Sequence, residues 1–407
     1  MKKKVALSAI SAALILTLSG CGESTSSTTG EQYGQPQTPV NTTFDQTALL
    51  VSLVDNAIIP TYKDFLSKAQ QLQTSVDTYC AAIGTDTEAS SRDDVHQAWR
   101  GSMSVWQLAE MMQLGPLSEN NNALRNRIYS WPNVSTCAVD QDVVLADTDA
   151  SYAISDRTAT RKGLDALEYT LFSDDLNHTC TAFGTAPEGW NNRTEEARKT
   201  ARCSYSQLAV DDLIANAETL IAEWEGDNGF GARLKNAGLP DSEYRVALEA
   251  VNDVSDSMFY LTEVTKDAKL ATPIGILAND CGLSPCPQNV ESQYAHHSLQ
   301  NIIANLKAMR LLFTGGVAAE GETTTGFNDF LVDVGDEETA TRMLADLDAA
   351  IQFAESLDGS FASIVEDQTE QAETLHNRVK DVTDTLKTDF IQSLALELPA
   401  TSAGDND

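Results

Sequence analysis

Two carboxylates that share one face of a predicted helix are the residues of this sequence best placed to do chemistry. Asp165 and Glu168 lie three positions apart within KGLDALEYTLF, residues 162–172, so both project from the same side of a helix. Such a pair can share a proton, coordinate a cation, or accept hydrogen bonds from arginine or backbone groups. It is therefore a candidate for ligand or ion binding or for catalysis, and a structural ion pair with another helix is the alternative.

The apolar neighbours of this pair predict where it lies. Leu164, Leu167 and Leu171 recur at helical spacing and are expected on the packed side of the helix. The two carboxylates then lie at the border of that side, where a cleft could reach them. Because burial of an unpaired carboxylate is costly, we expect a cation or a basic side chain in contact with Glu168.

The sequence contains no signature of a known peptidase mechanism. HExxH, whose histidines hold zinc, and GxSxG, which exposes a nucleophilic serine, do not occur. The histidines show no metal-ligand spacing; they are His96, His178, His296, His297 and His376. A serine or metal mechanism would have to be assembled from residues far apart in the chain. Trp99, Trp106 and Trp131 either line a pocket or, as is commoner at helical spacing, belong to the core.

The cysteines divide into one near the N-terminus and six in the body of the chain. In an exported protein the six are expected to form disulfides. Sequence alone does not choose among the pairings, but their clustering along the chain favours local partners. We predict Cys80–Cys137, Cys180–Cys203 and Cys281–Cys286.

The N-terminus has the features of a bacterial lipoprotein. A lysine-rich start precedes a short apolar run, residues 5–18, and the residues LSG precede Cys21. We expect residues 1–20 to be removed as a signal peptide and Cys21 to carry the acyl chains of a stable anchor. Residues 21–43 contain too few apolar side chains to fold and predict a flexible tether.

The charge of the chain limits its partners. With 27 basic and 60 acidic residues, its formal net charge is −33, which argues against nucleic acid and against anionic lipid as partners. Membrane contact is expected through the lipid anchor alone. The acidic surface could attract cations, but solubility in a salty habitat is the simpler interpretation.

Helical periodicity throughout the body predicts an all-α protein. Apolar residues recur every three or four positions over residues 46–80, where Pro60 predicts a kink. Period-two runs of β-branched residues are missing. Further helices are predicted near residues 91–112, 158–173, 194–223, 241–269, 292–314, 336–356 and 360–395. This order indicates two similar four-helix-bundle-like halves, 44–230 and 231–407, and an internal duplication.

Several segments together resemble the imelysin-like family, in particular its branch of predicted periplasmic lipoproteins. The resemblance spans nearly all of residues 45–407, and the segments that carry it are HQAW (96–99), LGPL (114–117), RIYSWPN (127–133), KGLDALEYTLF (162–172), VESQYAHHSLQNIIANL (290–306) and GDND (404–407). The resemblance implies an α-helical fold of two similar halves with a site near their junction. It also implies a cell-envelope protein linked with iron uptake, and some family members are described as peptidases.

The resemblance also assigns site residues. In the family motif GxHxxE, Gly163 and Glu168 match, whereas Asp165 stands at the histidine position. Two carboxylates form a harder, oxygen-rich set that suits Ca²⁺, Mg²⁺ or oxidised iron better than zinc. Glu291 is the candidate from the second half, and we expect it to face the pair across a polar pocket. Trp99 and Arg127 lie in the supporting segments.

Two functional hypotheses follow from these observations. The first is a lipid-anchored, non-enzymatic binding or accessory protein that works with iron-uptake proteins. The second is a peptidase of imelysin type, which the missing motif histidine disfavours. Gly22, which follows Cys21, gives no signal for inner-membrane retention. The expected location is therefore the outer membrane, facing the periplasm.

Overall fold

The computed structural model describes residues 42–181, 184–399 and 401–402. The predicted signal peptide, Cys21 and nearly all of the tether lie outside the described residues. Within them the chain forms helices and no β-strand, which confirms the all-α prediction. In the same ranges, no helix combines the length and the apolar character needed to cross a bilayer.

The first half contains the helices that the sequence predicts there. In chain order the helices of this half are α1 (Gln46–Leu53), α2 (Ile59–Ala82), α3 (Glu88–Glu110), α4 (Glu119–Ile128), α5 (Thr136–Thr148), α6 (Leu164–Phe172) and α7 (Glu195–Trp224). A π-helical turn over Val54–Ile58 joins α1 to α2. The predicted break at Pro60 is therefore a change of helix type just before the proline, which lacks an N–H to donate.

The described helices of the second half are more numerous than predicted, although the helix predicted near 336–356 is present. They are α8 (Phe230–Lys235), α9 (Ala247–Met258), α10 (Thr272–Ile274), α11 (Ser298–Phe313), α12 (Phe327–Asp333), α13 (Glu337–Glu355), α14 (Phe361–Asp367), α15 (Thr369–Thr385) and α16 (Ile391–Leu394). Two π-helical segments, Leu261–Ala271 and Leu386–Phe390, extend α9 and α15. The helix predicted near 292–314 begins at Ser298, so residues 291–297 are irregular chain.

One hydrophobic core runs through both halves. The predicted stripe of α2 is buried, from Tyr62 and Phe65 to Leu72 and Val76. The same cluster of buried apolar side chains continues into the second half. Polar contacts also cross between the halves: the Asn305 side chain on α11 donates to the backbone carbonyl of Gln107 on α3 at 2.8 Å. The division near residue 230 and the duplication stay predictions.

The disulfides correct two of the predicted pairings. The structure joins Cys80 to Cys203 and Cys137 to Cys180, so Cys80–Cys137 and Cys180–Cys203 are wrong. Helix packing decides the partners, because α2 lies beside α7 and α5 lies beside the loop after α6. Only the shortest pairing, Cys281–Cys286, is as predicted.

Candidate functional site

The start of α6 is held in place by a close approach of two backbones. Gly163 precedes the helix with φ +87°, and a Cβ there would lie 2.5 Å from the carbonyl oxygen of Ile128 and 3.0 Å from that of Arg127. The indole N–H of Trp99 donates to the carbonyl of Leu164 at 2.9 Å. Gly163, Trp99 and Arg127 are therefore brought together, and they position α6.

Every residue of α6 is buried. Leu164, Leu167 and Leu171 pack into the core as predicted, but Asp165 and Glu168 are each only 4% exposed. Both carboxylates are therefore nearly as buried as the apolar side of the helix, and the cavity described below is what reaches them. Because no side chain of this nine-residue helix lies in open solvent, its polar groups must find most of their partners inside the protein.

Asp165 is bonded within the first half. Its Oδ2 accepts from the backbone N–H of Ser130 at 3.0 Å and from the Ser130 hydroxyl at 2.6 Å. Its Oδ1 accepts from the N–H of Ala166 at 3.1 Å. Burial raises the pKa of Asp165 to about 6, while the bonds from Ser130 act in the opposite direction.

Glu168 is bonded to the second half. Its Oε1 accepts from the backbone N–H groups of Tyr294 and Ala295, both at 2.9 Å. These amides lie in the irregular chain before α11, so Glu168 ties that segment to α6. The expected basic side chain is replaced by two neutral donors. Burial consequently raises the pKa of Glu168 to about 8, against the effect of the two amide bonds.

Glu291 does not face the pair as expected. Its Oε1 accepts from the Tyr129 hydroxyl at 2.8 Å and from the Gln107 side chain at 3.1 Å. It also lies 3.2 Å from the Lys269 Nζ. The neighbours Val290 and Ser292 line the pocket, whereas Glu291 does not. Residues 291–296 form turns, and Ser292 has φ +48°, so the chain changes direction directly after Glu291.

Behind Glu291 lies a buried polar network that sequence reasoning missed. The Lys269 Nζ donates to the side-chain oxygens of Gln107 at 2.5 Å, Asn305 at 3.0 Å and Glu110 at 3.2 Å. Arg125 donates to the other Glu110 oxygen at 2.6 Å. Burial raises the pKa of Glu110, but Lys269 and Arg125 outweigh it and hold that pKa below its usual value. The sequence signal for this network was Lys269, a lysine at an apolar position of a helical pattern.

A cavity of about 480 Å³ opens on the carboxylate pair at the junction of the halves. Asp165 and Glu168 lie in its wall, and Asp280 adds a third carboxylate. Trp131, Tyr169 and Tyr294 supply aromatic rings, and amide and hydroxyl side chains complete the lining: Thr136, Thr272, Gln288, Asn289, Ser292 and Gln293. We call this cavity the junction pocket. Its size is within the range of small-molecule sites.

The pair does not fit a metal ion held by protein ligands alone. In the part of the chain that the structure describes, no three His, Cys, Asp or Glu side chains converge as a metal site would require. Three of the four carboxylate oxygens of Asp165 and Glu168 already accept protein hydrogen bonds. Ca²⁺ takes six to eight oxygen ligands, so the expected hard-cation site is not formed by these residues.

The histidines near α6 serve packing. His96 stacks on Phe172, with ring centroids 3.9 Å apart, and one of its ring nitrogens bonds the Leu171 carbonyl at 2.9 Å. The His297 ring nitrogen lies 2.9 Å from the Ser104 hydroxyl. Burial lowers the pKa of His297 to about 4, so the ring is neutral. Trp99 and Trp106 belong to the core, and Trp131 lines the junction pocket.

The fold and its enclosed carboxylate pair define a class of all-helical proteins with a polar pocket at the junction of two halves. Residues 58–388 match the family model for imelysin, which carries a peptidase label. The chain therefore belongs to the imelysin family, as the resemblance of its motifs predicts.

Individual relatives agree with this family. A curated relative is the iron-regulated protein A of Synechococcus elongatus, 25% identical over 228 residues, which are 54% of this chain and 53% of the relative. The chain thus spans about half the length of that relative.

Two solved structures share the fold. One is a protein from Parabacteroides distasonis described as an iron-regulated protein A precursor. It superposes with a TM-score of 0.66 at 19% identity, covering 86% of this chain and 94% of the other. An imelysin-like protein from Psychrobacter arcticum superposes with a TM-score of 0.67 at 14% identity, covering 89% and 99%.

Proposed function

We propose that this chain is a lipid-anchored binding protein of the bacterial cell envelope that serves iron acquisition without catalysing a reaction. The observation that carries the proposal is the junction pocket, whose wall holds the buried carboxyls of Asp165 and Glu168. Membership of the imelysin family and the relatives named as iron-regulated supply the link to iron.

The contacts of the pair favour binding over catalysis. Asp165 replaces the motif histidine and accepts from Ser130, while Glu168 accepts from two backbone amides. A general base must lie within hydrogen-bond reach of a proton to be abstracted, and these bonds use three of the four oxygens. The peptidase hypothesis remains the alternative, and incubation of the purified protein with casein and a mixed peptide library tests it directly.

Growth under iron limitation tests the role in iron acquisition. A strain lacking the protein is complemented with the wild type, with Glu168→Gln, or with Asp174→Asn. Asp174 lies beyond the end of α6 with its side chain 86% exposed, so its variant makes the same charge change outside the pocket. We expect the wild type and Asp174→Asn to restore growth and Glu168→Gln to fail. Equal growth of all three would contradict the proposal.

Fractionation tests the anchor. Cys21→Ser removes the only group that the lipobox pattern offers for acylation, so we expect the variant in the soluble envelope fraction and the wild type in the outer membrane. A Cys21→Ser variant that still sediments with membranes would contradict the lipid anchor. That result would not bear on ligand binding in the junction pocket.

A further inference from the structure

Within the described ranges of the chain, the acidic side chains in the lining of the junction pocket have no basic counterpart there. Asp165, Glu168 and Asp280 are in its wall, and none of the described residues that line it is lysine, arginine or histidine. Two cations that lie over rings of the lining have carboxylates close to them. Lys269 is paired with Glu110 and Glu291, and Arg202 lies 3.8 Å from Asp140. The pocket therefore disfavours anions and attracts a positive group.

One carboxylate oxygen in the pocket has room for a ligand. Glu168 uses Oε1 for the amides of Tyr294 and Ala295, and its Oε2 receives no hydrogen bond from the described residues. Glu168 lines the pocket, so this oxygen is the acceptor that a donor inside the cavity can reach. The two amide bonds fix the carboxyl orientation and prepare the site for that donor.

One aromatic ring of the lining is also available. Protein cations already lie over two of the lining rings, Arg202 over Tyr169 at 5.0 Å and Lys269 over Trp131 at 5.9 Å. Tyr294 has no such cation among the described residues, and its ring meets Tyr169 edge to face. A carboxylate and an aromatic face that line one pocket can together bind an ammonium group through charge and cation–π attraction.

The volume of the cavity suits an organic molecule better than a bare ion. At about 480 Å³ it equals the liquid volume of roughly sixteen waters, far more than one metal ion fills. The described residues also supply no three-ligand group for such an ion. Amide and hydroxyl side chains at Gln288, Asn289 and Ser292 can bond the rest of a polar ligand.

We propose that the junction pocket binds a small organic cation, a molecule with a protonated amine, whose charge is met by Glu168. An amine-bearing iron chelate belongs to this class. The inference rests on the binding role proposed above for the same pocket, but it does not depend on the link to iron.

Probe molecules of matched shape and different charge test the inference. Isothermal titration of the purified protein with butylammonium and with 1,4-butanediammonium is compared with n-butanol and butyrate at equal concentration, pH and ionic strength. We expect both ammonium probes to bind and the neutral and anionic probes to bind at least tenfold more weakly. Butyrate or butanol binding as tightly as butylammonium would overturn the inference, as would Ca²⁺ binding more tightly than both ammonium probes.

Variants locate the binding. Glu168→Gln keeps an acceptor for Tyr294 and Ala295 and removes the charge, so we expect its affinity for butylammonium to fall at least tenfold. Asp174→Asn should bind like the wild type. If Glu168→Gln does not fold, the indole N–H resonance of Trp131 in the wild type gives the second readout. It should shift on addition of butylammonium, and an unmoved resonance would overturn the inference.

The two proposals fail separately. Ammonium binding together with normal iron-limited growth of the Glu168→Gln strain would overturn the iron role and leave the ligand class standing. A growth defect of that strain without ammonium binding to the wild type would overturn the ligand class alone.

Discussion

At the scale of single residues, Glu168 decides what the site can do. The carboxyl is 4% exposed, and its protein partners are two backbone amides without a full positive charge. Burial raises its pKa to about 8 from an ordinary value of 4.5. The group is therefore largely protonated near neutral pH when the pocket holds no cation, and a bound cation favours the ionised form.

This shift predicts a pH dependence of stability. Between about pH 5 and pH 8 the folded protein binds more protons at Glu168 than the unfolded chain, so this residue lowers the free energy of unfolding as pH rises. Glu168→Gln has no such group. We expect its stability relative to the wild type, measured by urea unfolding at several pH values, to rise across that window by up to a few kcal/mol.

A control variant separates this effect from a general charge effect. Arg92 holds the pKa of Asp174 below its usual value, so Asp174 is ionised throughout the window in both folded and unfolded protein. The stability difference between Asp174→Asn and the wild type should then be independent of pH from 5 to 8. A difference for Glu168→Gln that is equally flat would contradict the burial of an unpaired carboxyl at this position.

At the scale of elements, α6 depends on the backbone approach at Gly163. Gly163→Ala would place a Cβ at 2.5 Å from the Ile128 carbonyl oxygen in a left-handed conformation. We expect a loss of at least about 2 kcal/mol, because both the clash and the positive φ oppose a side chain. Thermal or urea unfolding measures it.

Gly101 in α3 is the matched control. Nothing lies within 4 Å of a Cβ built there, and alanine is the better helix former. Gly101→Ala should therefore leave stability unchanged or raise it by about 0.5–1 kcal/mol. Equal effects of the two substitutions would show that the close approach at Gly163 does not constrain the helix.

Local periodicity predicts some features of these elements and not others. The stripe of α2 and the shared face of Asp165 and Glu168 follow from a local period of 3.6 residues and were predictable. The burial of that face was not, because it depends on Gly163 meeting residue 128 and on chain from the second half closing over Glu168. The direction of Glu291 depends likewise on the irregular chain over residues 291–297, before α11, where no periodicity applies.

At the scale of the whole molecule, the disulfide Cys80–Cys203 joins segments that lie far apart in the sequence. Cys80–Cys203 links α2 to α7 across a sequence separation of 123 residues, which local clustering could not suggest. In the chain-entropy model a longer closed loop stabilises more, and the difference from the 5-residue separation of Cys281–Cys286 is about 3 kcal/mol.

Paired alanine variants measure this difference. Cys80→Ala with Cys203→Ala should lower the free energy of unfolding by about 3 kcal/mol more than Cys281→Ala with Cys286→Ala. Peptide mapping without reductant checks the three pairings first. A Cys80–Cys137 peptide in that map would contradict the packing of α2 against α7.

Native mass spectrometry of protein purified from the envelope of iron-limited cells tests the central claim most directly. If the junction pocket holds a ligand in the cell, the wild type should carry a small molecule as a defined mass increment. Asp165→Asn combined with Glu168→Gln, folded by circular dichroism, should lose it, and Asp174→Asn should keep it. An increment of equal size and occupancy on the double variant, or none on the wild type in iron-limited and iron-replete cells alike, would contradict the account.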